Sequence, residues 1–374
     1  MKNKNLETIS KILSVLFFVY LFLLSIGLMG AAFKGFGKGF AETLIASTSN
    51  PFIGLFIGIL ATSIVQSSST TTSIVIGMVG SGVMGIHNAV PIIMGSNIGT
   101  TVTNTLVSLG HVGRREEFKR AVTGGTVHDF FNIMCVCILF PLELSFGLIS
   151  KLALWMSQLF INVGGIKFTS PIKILTTPII NLIKKMILTL TLPNTLTYIL
   201  ILILSFVFLF LSLYFIVKIM RSLVIEKAEI VLNKVIGKHG LTAILVSLLF
   251  TAIVQSSSIT IALMIPLVAA GVLTIETMFP LIMGANIGTT TTAILASFAT
   301  GNIHAVTVAF SHFIFNIIGV CFIYPIKPLR QIPIRLACKL GDLAFKKRRY
   351  VIFYVLTLFF VIPVLLIMLS KLLK

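Results

Sequence analysis

Thr62-Ser63-Ile64-Val65-Gln66-Ser67-Ser68-Ser69 recurs as Thr251-Ala252-Ile253-Val254-Gln255-Ser256-Ser257-Ser258, 189 residues later. The same offset holds downstream without a gap. Pro91 matches Pro280, Gly95 matches Gly284, and Asn97-Ile98-Gly99-Thr100-Thr101 matches Asn286-Ile287-Gly288-Thr289-Thr290. Further on, His128, Phe131 and Asn132 return as His312, Phe315 and Asn316 at an offset of 184, so the first copy holds five extra residues around Arg114–Arg120. Three blocks kept in order define two related halves, 51–146 and 240–326. Residues 1–50 are then an N-terminal membrane helix and connector. Residues 147–239 are a connector with one membrane helix, Leu196–Ile216, and a basic loop, Lys218–Lys238. Residues 327–374 are a basic cytoplasmic loop and a C-terminal membrane helix.

The solvent of this fold is lipid. The chain has 374 residues, 57% hydrophobic and 10% charged, against about 25% charged in soluble domains. Ile12–Gly30, Leu196–Ile216 and Val351–Leu369 are close to the ~20 residues a membrane helix needs. The first is longer than the 7–15-residue core of a signal peptide and reads as an uncleaved helix. The net charge of +19 invites a nucleic-acid reading, but its distribution excludes one. No Lys or Arg occurs from Gly39 to Gly110 or from Leu241 to Ile326. The basic residues cluster in connections and at the ends, as cytoplasmic segments do, whereas nucleic acid requires an aqueous basic groove. The N-terminus is therefore expected in the cytoplasm of a multi-pass cell-membrane protein. The Arg114–Arg120 cluster precedes the His-x-x-Phe-Asn helix in the first half, and Lys327–Arg349 follows it in the second. If both clusters are cytoplasmic, the two helices cross in opposite directions. The expected fold is an all-α polytopic membrane protein of two inverted-topology repeats, with broken helices or re-entrant hairpins and a shared central site.

A polar run such as Gln66–Ser73 inside an apolar chain must be buried in protein or line a cavity. Phe52–Val65 before it and Ile74–Val83 after it read as half-membrane helices, and the Gly95–Thr101 segment reads as a second turn. The chemistry on offer is hydroxyls, amides and free helix ends. Amides at a helix N-terminus attract anions, while carbonyl, Ser, Thr and Asn oxygens suit Na⁺. Without Lys or Arg in the motif-bearing stretches 39–110 and 241–326, a bound oxyanion needs cations beside it, so an anion moving with Na⁺ is the natural cargo. Small polar residues can also serve as packing glue between membrane helices; two matched copies make that reading the weaker one. The first half is the more polar: Thr70, Thr72, Ser73 and Asn104 face Ile259, Ile261, Ala262 and Ala293. Asp129, opposite Phe313, is expected to bind a cation or proton, or to cap its helix. His128 and His312 read as hydrogen-bonded structural residues before proton carriers or phosphate contacts. Cys135, Cys137, Cys321 and Cys338 lack metal-ligand spacing.

The blocks Gln66–Val75, Pro91–Thr105, Arg115-x-x-Phe118-x-Arg120-Ala121 and Val127–Asn132, with the second Gln255–Ser258 and Gly284–Thr289, resemble the type II sodium–phosphate cotransporters. The resemblance runs from the Leu28-Met29-Gly30 region to Arg349-Tyr350. It implies sodium-coupled symport of inorganic phosphate, with no cofactor beyond the co-transported Na⁺. Phosphate would contact Ser67, Ser68, Ser69, Asn97, Thr100, Ser256, Ser257, Ser258, Asn286 and Thr289. Sodium would contact Gln66, Gln255, Ser67, Ser256, Thr100, Thr101, Thr289, Thr290 and Asp129. Electrogenic relatives have an Asp at the place of Asp129 and electroneutral ones a Gly, which implies net charge movement here. Ser150–Pro193, without Cys, stands where vertebrate members have a long disulfide-bearing loop. Some bacterial relatives export phosphate and carry a soluble regulatory domain, which is not seen here; uptake is the expectation. Phosphate export and a passive anion channel are the alternatives, although anion pores usually show Arg or Lys rings. A non-transporting adaptor has only the two basic connections to offer a partner. No nucleophile–base constellation supports an enzyme.

Overall fold

In the computed structural model, residues 2–162, 171–235 and 240–372 are described, and every regular element among them is helical. The first half holds α3 (Pro51–Val65), α4 (Ser68–Ser81), α5 (Ile86–Gly99), α6 (Val102–Ser108) and α7 (Arg115–Phe146). It is preceded by α1 (Lys2–Gly35) and α2 (Lys38–Ser47). The connector holds α8 (Leu148–Asn162), α9 (Pro171–Leu188) and α10 (Asn194–Val235). The second half is α11 (Gly240–Val254), α12 (Ser257–Ala269), α13 (Ile275–Thr300) and α14 (Ile303–Ile323). The chain continues through α15 (Lys327–Lys346), α16 (Arg349–Leu356) and α17 (Ile362–Leu372). Among the described residues, six single helical segments are long and apolar enough to cross a bilayer: Leu6–Gly35, Arg115–Phe146, Asn194–Leu223, Ile275–Thr300, Ile303–Ile323 and Arg349–Ser370. The protein is an all-α polytopic membrane protein.

Both repeated motifs form the same tight hairpin. In the first, Asn50 caps α3, its Oδ1 accepting from the Phe52 N–H at 2.9 Å, and Pro51 supplies a preset first helical residue. Gln66 then adopts a left-handed conformation (φ 56°) and Ser67 an extended one, which ends α3 and reverses the chain. Ser67 caps α4 through its hydroxyl, which accepts from the Thr70 N–H at 3.1 Å. In the second half Gln255 has φ 62°, and Ser256 caps α12 by accepting from the Ile259 N–H at 3.3 Å. A hydroxyl pair clamps the arms of each hairpin, Thr62 to Thr71 at 3.0 Å and Thr251 to Thr260 at 2.8 Å.

The Gly95–Thr101 segment is not a turn. Its counterpart runs uninterrupted inside α13, and Thr100 and Thr101 keep right-handed helical dihedrals between α5 and α6. The glycines serve another purpose. A Cβ on Gly95 would strike the Leu55 carbonyl, and one on Gly284 would strike that of Ile244. Backbone-to-backbone packing of α5 on α3, and of α13 on α11, needs hydrogen at these positions.

The two hairpins end at opposite ends of α13. At Gly80, α4 meets Thr300, and the Asn302 amide donates to the Gly80 carbonyl at 3.2 Å. By contrast, α12 finishes where the Arg120 guanidinium Nε donates to the Ala269 carbonyl at 2.7 Å, beside the start of α13. At about 1.5 Å per residue, the 26 residues of α13 separate these points by most of a bilayer.

Three connections differ from the sequence reading. The expected loop at Lys218–Lys238 is helix through Val235, with residues 236–239 outside the described ones. Lys327–Arg349 is largely the amphipathic helix α15, docked on α7 with a 2.7 Å Lys119–Asp342 ion pair. Its cations follow helical spacing around a buried stripe of Ile334, Ala337, Leu340 and Ala344, a pattern that charge density alone hides. Ser150–Pro193 holds most of α8 and all of α9, with 163–170 outside the described residues.

Candidate functional site

The hairpin tips meet. A small cavity of about 50 Å³ is lined by Gln66, Ser67, Ser68, Ser69 and Thr100 of the first half, and by Gln255, Ser256, Ser257, Ser258 and Thr289 of the second. Leu213 and Val217 of α10 complete its wall. Ser68, Ser257, Thr100 and Thr289 are each at most 4% exposed. The first turns of α4 and α12 both open onto this space. Their leading N–H groups have no partner within their own helices, and each helix start carries about half a positive unit charge. Two such ends, six serines and two threonines form a nest of hydrogen-bonding groups that contains no fixed charge. The hairpins are not equally occupied. Gln255 is fastened, its Nε2 donating to the Ala252 carbonyl (2.6 Å) and Thr291 Oγ1 (3.1 Å), and its Oε1 accepting from Thr292 (2.7 Å). Ser69 reaches across to the same Thr292 at 3.4 Å. The Gln66 side chain has no hydrogen bond among the described residues.

Asn97 and Asn286 lie one helical turn from the cavity threonines but do not line the cavity. They sit in a buried network that crosses between halves. His128 of the first half pairs through Nε2 with Asn286 Oδ1 of the second at 2.6 Å, and Asn286 Nδ2 donates to Asn132 Oδ1 at 2.6 Å. His312 of the second half pairs through Nε2 with Asn97 Oδ1 of the first at 3.3 Å, and Asn316 Nδ2 donates to the same oxygen at 3.3 Å. Asn104 Nδ2 lies 3.1 Å from His128 Nδ1, a pairing that places the ring hydrogen on Nε2. Each histidine thus reads the other half's asparagine. The repeat of His128, Asn132 and Asn97 is the signature of an interface between halves.

Asp129 is not a helix cap. It stands fourteen residues into α7, fully buried. Its Oδ2 accepts from Thr105 Oγ1 at 3.1 Å and from the Tyr354 hydroxyl at 2.9 Å, while the Thr101 hydroxyl donates to the Ile98 carbonyl at 2.8 Å. Asp129 Oδ1 has no partner. Thr100 lines the serine cavity, whereas the adjacent Thr101 is fully buried and does not line it. Thr290, the counterpart of Thr101, donates likewise to the Ile287 carbonyl, at 2.7 Å, and the second half has Phe313 at the place of Asp129. Seven buried side-chain polar atoms among the described residues lack a partner, and five of them, on Thr72, Ser73, Thr103, Asn104 and Asp129, belong to the first half. Glu143 plays a structural part: its Oε2 accepts from the Ile149 N–H at 2.7 Å and its Oε1 from the Ser150 hydroxyl, which starts α8.

Tyr354, Thr105, Thr291 and Thr292 were not legible as site residues. Tyr354 carried a signal, being a phenol inside the apolar run Val351–Leu369. The threonines carried none, because nothing in their spacing tells which side of a helix meets Asp129 or Gln255.

The sequence profile of the Na⁺/Pi-cotransporter family matches residues 21–218 and 207–332. The chain is 35% identical over 447 residues to sodium-dependent phosphate transport protein 2B of Pongo abelii and of Homo sapiens, covering 96% of this chain and 65% of each relative. To sodium-dependent phosphate transport protein 2A of Ovis aries it is 35% identical over 429 residues, covering 95% of this chain and 67% of that protein. The chain spans just under two thirds of the length of the 2B relatives. No solved structure matches it.

Proposed function

Since the chain belongs to the Na⁺/Pi-cotransporter family, we propose that it is a secondary active transporter moving inorganic phosphate across the cell membrane together with Na⁺. The direction is uptake, and the cycle carries net charge. The observation that carries the reading is the convergence of both Gln-Ser-Ser-Ser turns, with Thr100 and Thr289, on one cavity without a charged side chain.

Charge arithmetic supports the coupling. Two helix N-termini offer about one positive unit between them, while phosphate near neutrality carries one to two negative charges. A dianion therefore remains uncompensated in a low-dielectric site unless cations accompany it. The first half is equipped for them. Asp129 Oδ1 is a buried carboxylate oxygen with no donor, and a Na⁺ there would supply the missing partner, with Thr101 and Thr105 as neighbouring oxygens. Gln66, its side chain unengaged, adds an amide oxygen at the cavity. Asn97 and Asn286 then act behind the site, holding Thr100 and Thr289 against it.

The halves are read as inverted repeats, because their hairpins end on opposite ends of α13. The end holding Arg120 and α15 is the cytoplasmic one by its basic residues. Alternating access would rock one half against the other about the crossed His–Asn pairs, whose polar contacts can exchange without exposing apolar core. The test is uptake of radioactive phosphate into proteoliposomes holding the purified chain. Uptake driven by an inward Na⁺ gradient and absent with K⁺ is expected; equal uptake in K⁺ would remove the coupling.

A further inference from the structure

No fixed cation lines the serine nest, yet two line the wide cavity adjoining it. This cavity, about 570 Å³, shares Gln66, Ser67 and Ser256 with the nest. Its far wall is α10, which contributes Phe210, Leu213, Tyr214, Val217, Lys218 and Arg221. These positions form a single helical stripe at spacings of three and four. Lys218 and Arg221 thus lie on the cavity-facing side of α10, at the end of the stripe beyond Leu213 and Val217, the two residues that also wall the nest. Lys218 is held in place by aromatic faces, its Nζ 5.6 Å from the Tyr214 ring centroid and 5.9 Å from that of Phe215. No carboxylate lines the cavity, and neither cation forms an ion pair among the described residues.

We propose that Lys218 and Arg221 form a second oxyanion station, a vestibule that takes inorganic phosphate between the cytoplasm and the serine nest. The proposal rests on the phosphate-transport reading and adds to it a residue pair outside both repeats. A positively lined cavity with low-dielectric walls concentrates anions and speeds their arrival by ten- to a thousandfold. Placing the cations outside the nest attracts phosphate without trapping it: the bound anion is neutralised by Na⁺ and helix ends, and on loss of Na⁺ it moves toward the fixed charge. The order of charge along the path is then itself part of the coupling. The phosphate of a lipid headgroup has the same chemistry and could occupy the same pair from the inner leaflet, so the experiment must separate free phosphate from lipid.

The experiment uses the full chain in proteoliposomes, with radioactive phosphate varied on each face in turn and Na⁺ held constant. The variants are Lys218→Gln with Arg221→Gln, and the charge-preserving Lys218→Arg with Arg221→Lys. Both side chains are exposed, so folding is expected to survive. The Gln pair should raise the half-saturating phosphate concentration on the cytoplasmic face about tenfold, the low end of such focusing. Half-saturation at the opposite face, the Na⁺ requirement and the maximal rate should stay within about twofold, and the charge-preserving pair should match the unsubstituted chain. Added choline chloride should weaken cytoplasmic phosphate binding in the unsubstituted chain and not in the Gln pair, since exposed charge is screened over about 8 Å at 0.15 M salt. Unchanged cytoplasmic half-saturation in the Gln pair, with Na⁺-driven uptake intact, would overturn the vestibule and leave the transport reading standing. An effect seen only in phosphatidylglycerol vesicles and lost in pure phosphatidylcholine would assign the pair to lipid and likewise overturn it. Absence of Na⁺-driven uptake by the unsubstituted chain would sink the transport reading on which the vestibule depends.

Discussion

Gln66→Gly separates what the hairpin needs for folding from what the cavity needs for function. Gln66 occupies the left-handed region, φ 56° and ψ 28°, which costs an L-residue about 1–2 kcal/mol. Glycine removes that cost but gains freedom in the unfolded chain, about 0.5–1 kcal/mol against the native state. The net change in stability therefore runs from about zero to about 1.5 kcal/mol in favour of glycine. No side-chain hydrogen bond is lost, since Gln66 makes none; the turn itself is held by the Gln66 N–H to Thr62 carbonyl bond at 2.6 Å, which glycine keeps. Function should respond differently. A hydrogen bond or ligand contact to a charged partner is worth about 1.5–3 kcal/mol, or about 10- to 150-fold in affinity at 1.36 kcal/mol per tenfold. Thermal melting of the purified variant should therefore equal or slightly exceed that of the unsubstituted chain, while the Na⁺ concentration for half-maximal uptake rises at least about tenfold. Gln66→Ala loses the same amide and keeps the strained backbone, so it should melt no higher than Gln66→Gly. A glycine variant that melts far below the parent would refute the backbone argument, and one with unchanged Na⁺ and phosphate dependence would refute the assignment of Gln66 to the site.

Other consequences are separable. Asp129→Gly removes the carboxylate whose Oδ1 awaits a partner; a phosphate-induced inward current should vanish in voltage-clamped membranes while some uptake survives, and a persisting current would remove Asp129 from charge transfer. Gly284→Val puts a side chain against the Ile244 carbonyl and should lower stability by about 1–3 kcal/mol or more, read as loss of monodisperse protein on size exclusion. Gly30→Ala is its control, since a Cβ there meets nothing within 4 Å and a helix gains about 0.5–1 kcal/mol from the change; a lower melting temperature would contradict that packing. Asn286→Ala leaves His128 Nε2 and Asn132 Oδ1 without the partners they have at 2.6 Å. At about 1–3 kcal/mol for each buried orphan, melting should fall clearly below that of Cys321→Ala, an exposed position of the same half.

The repeat made the hairpins legible because a polar tetrapeptide cannot rest unpaired in lipid, and finding it twice at one offset left little room for accident. The same logic failed at Gly95–Thr101. Glycine and asparagine there looked like turn chemistry, yet Gly95 and Gly284 face backbone carbonyls and the asparagines face the opposite half's histidines. Sequence shows that such residues are special but not whether the peculiarity serves a bend or a contact. Asp129 was visible as a charge in an apolar run, whereas its donor Tyr354 is 225 residues away, a separation no periodicity spans. The basic connections misled for a third reason. Charge density hides amphipathicity, so α15 and the far end of α10 read as loops although their apolar residues recur at helical spacing.

The central claim is that the two serine turns make one phosphate site rather than two. Phosphate uptake under an inward Na⁺ gradient should be measured for Ser68→Ala and Ser257→Ala separately, on folded protein matched by size exclusion. Each substitution alone is predicted to abolish uptake, because each removes one wall of the same nest. Normal transport by both variants, or loss in one with full activity in the other, would contradict a shared site.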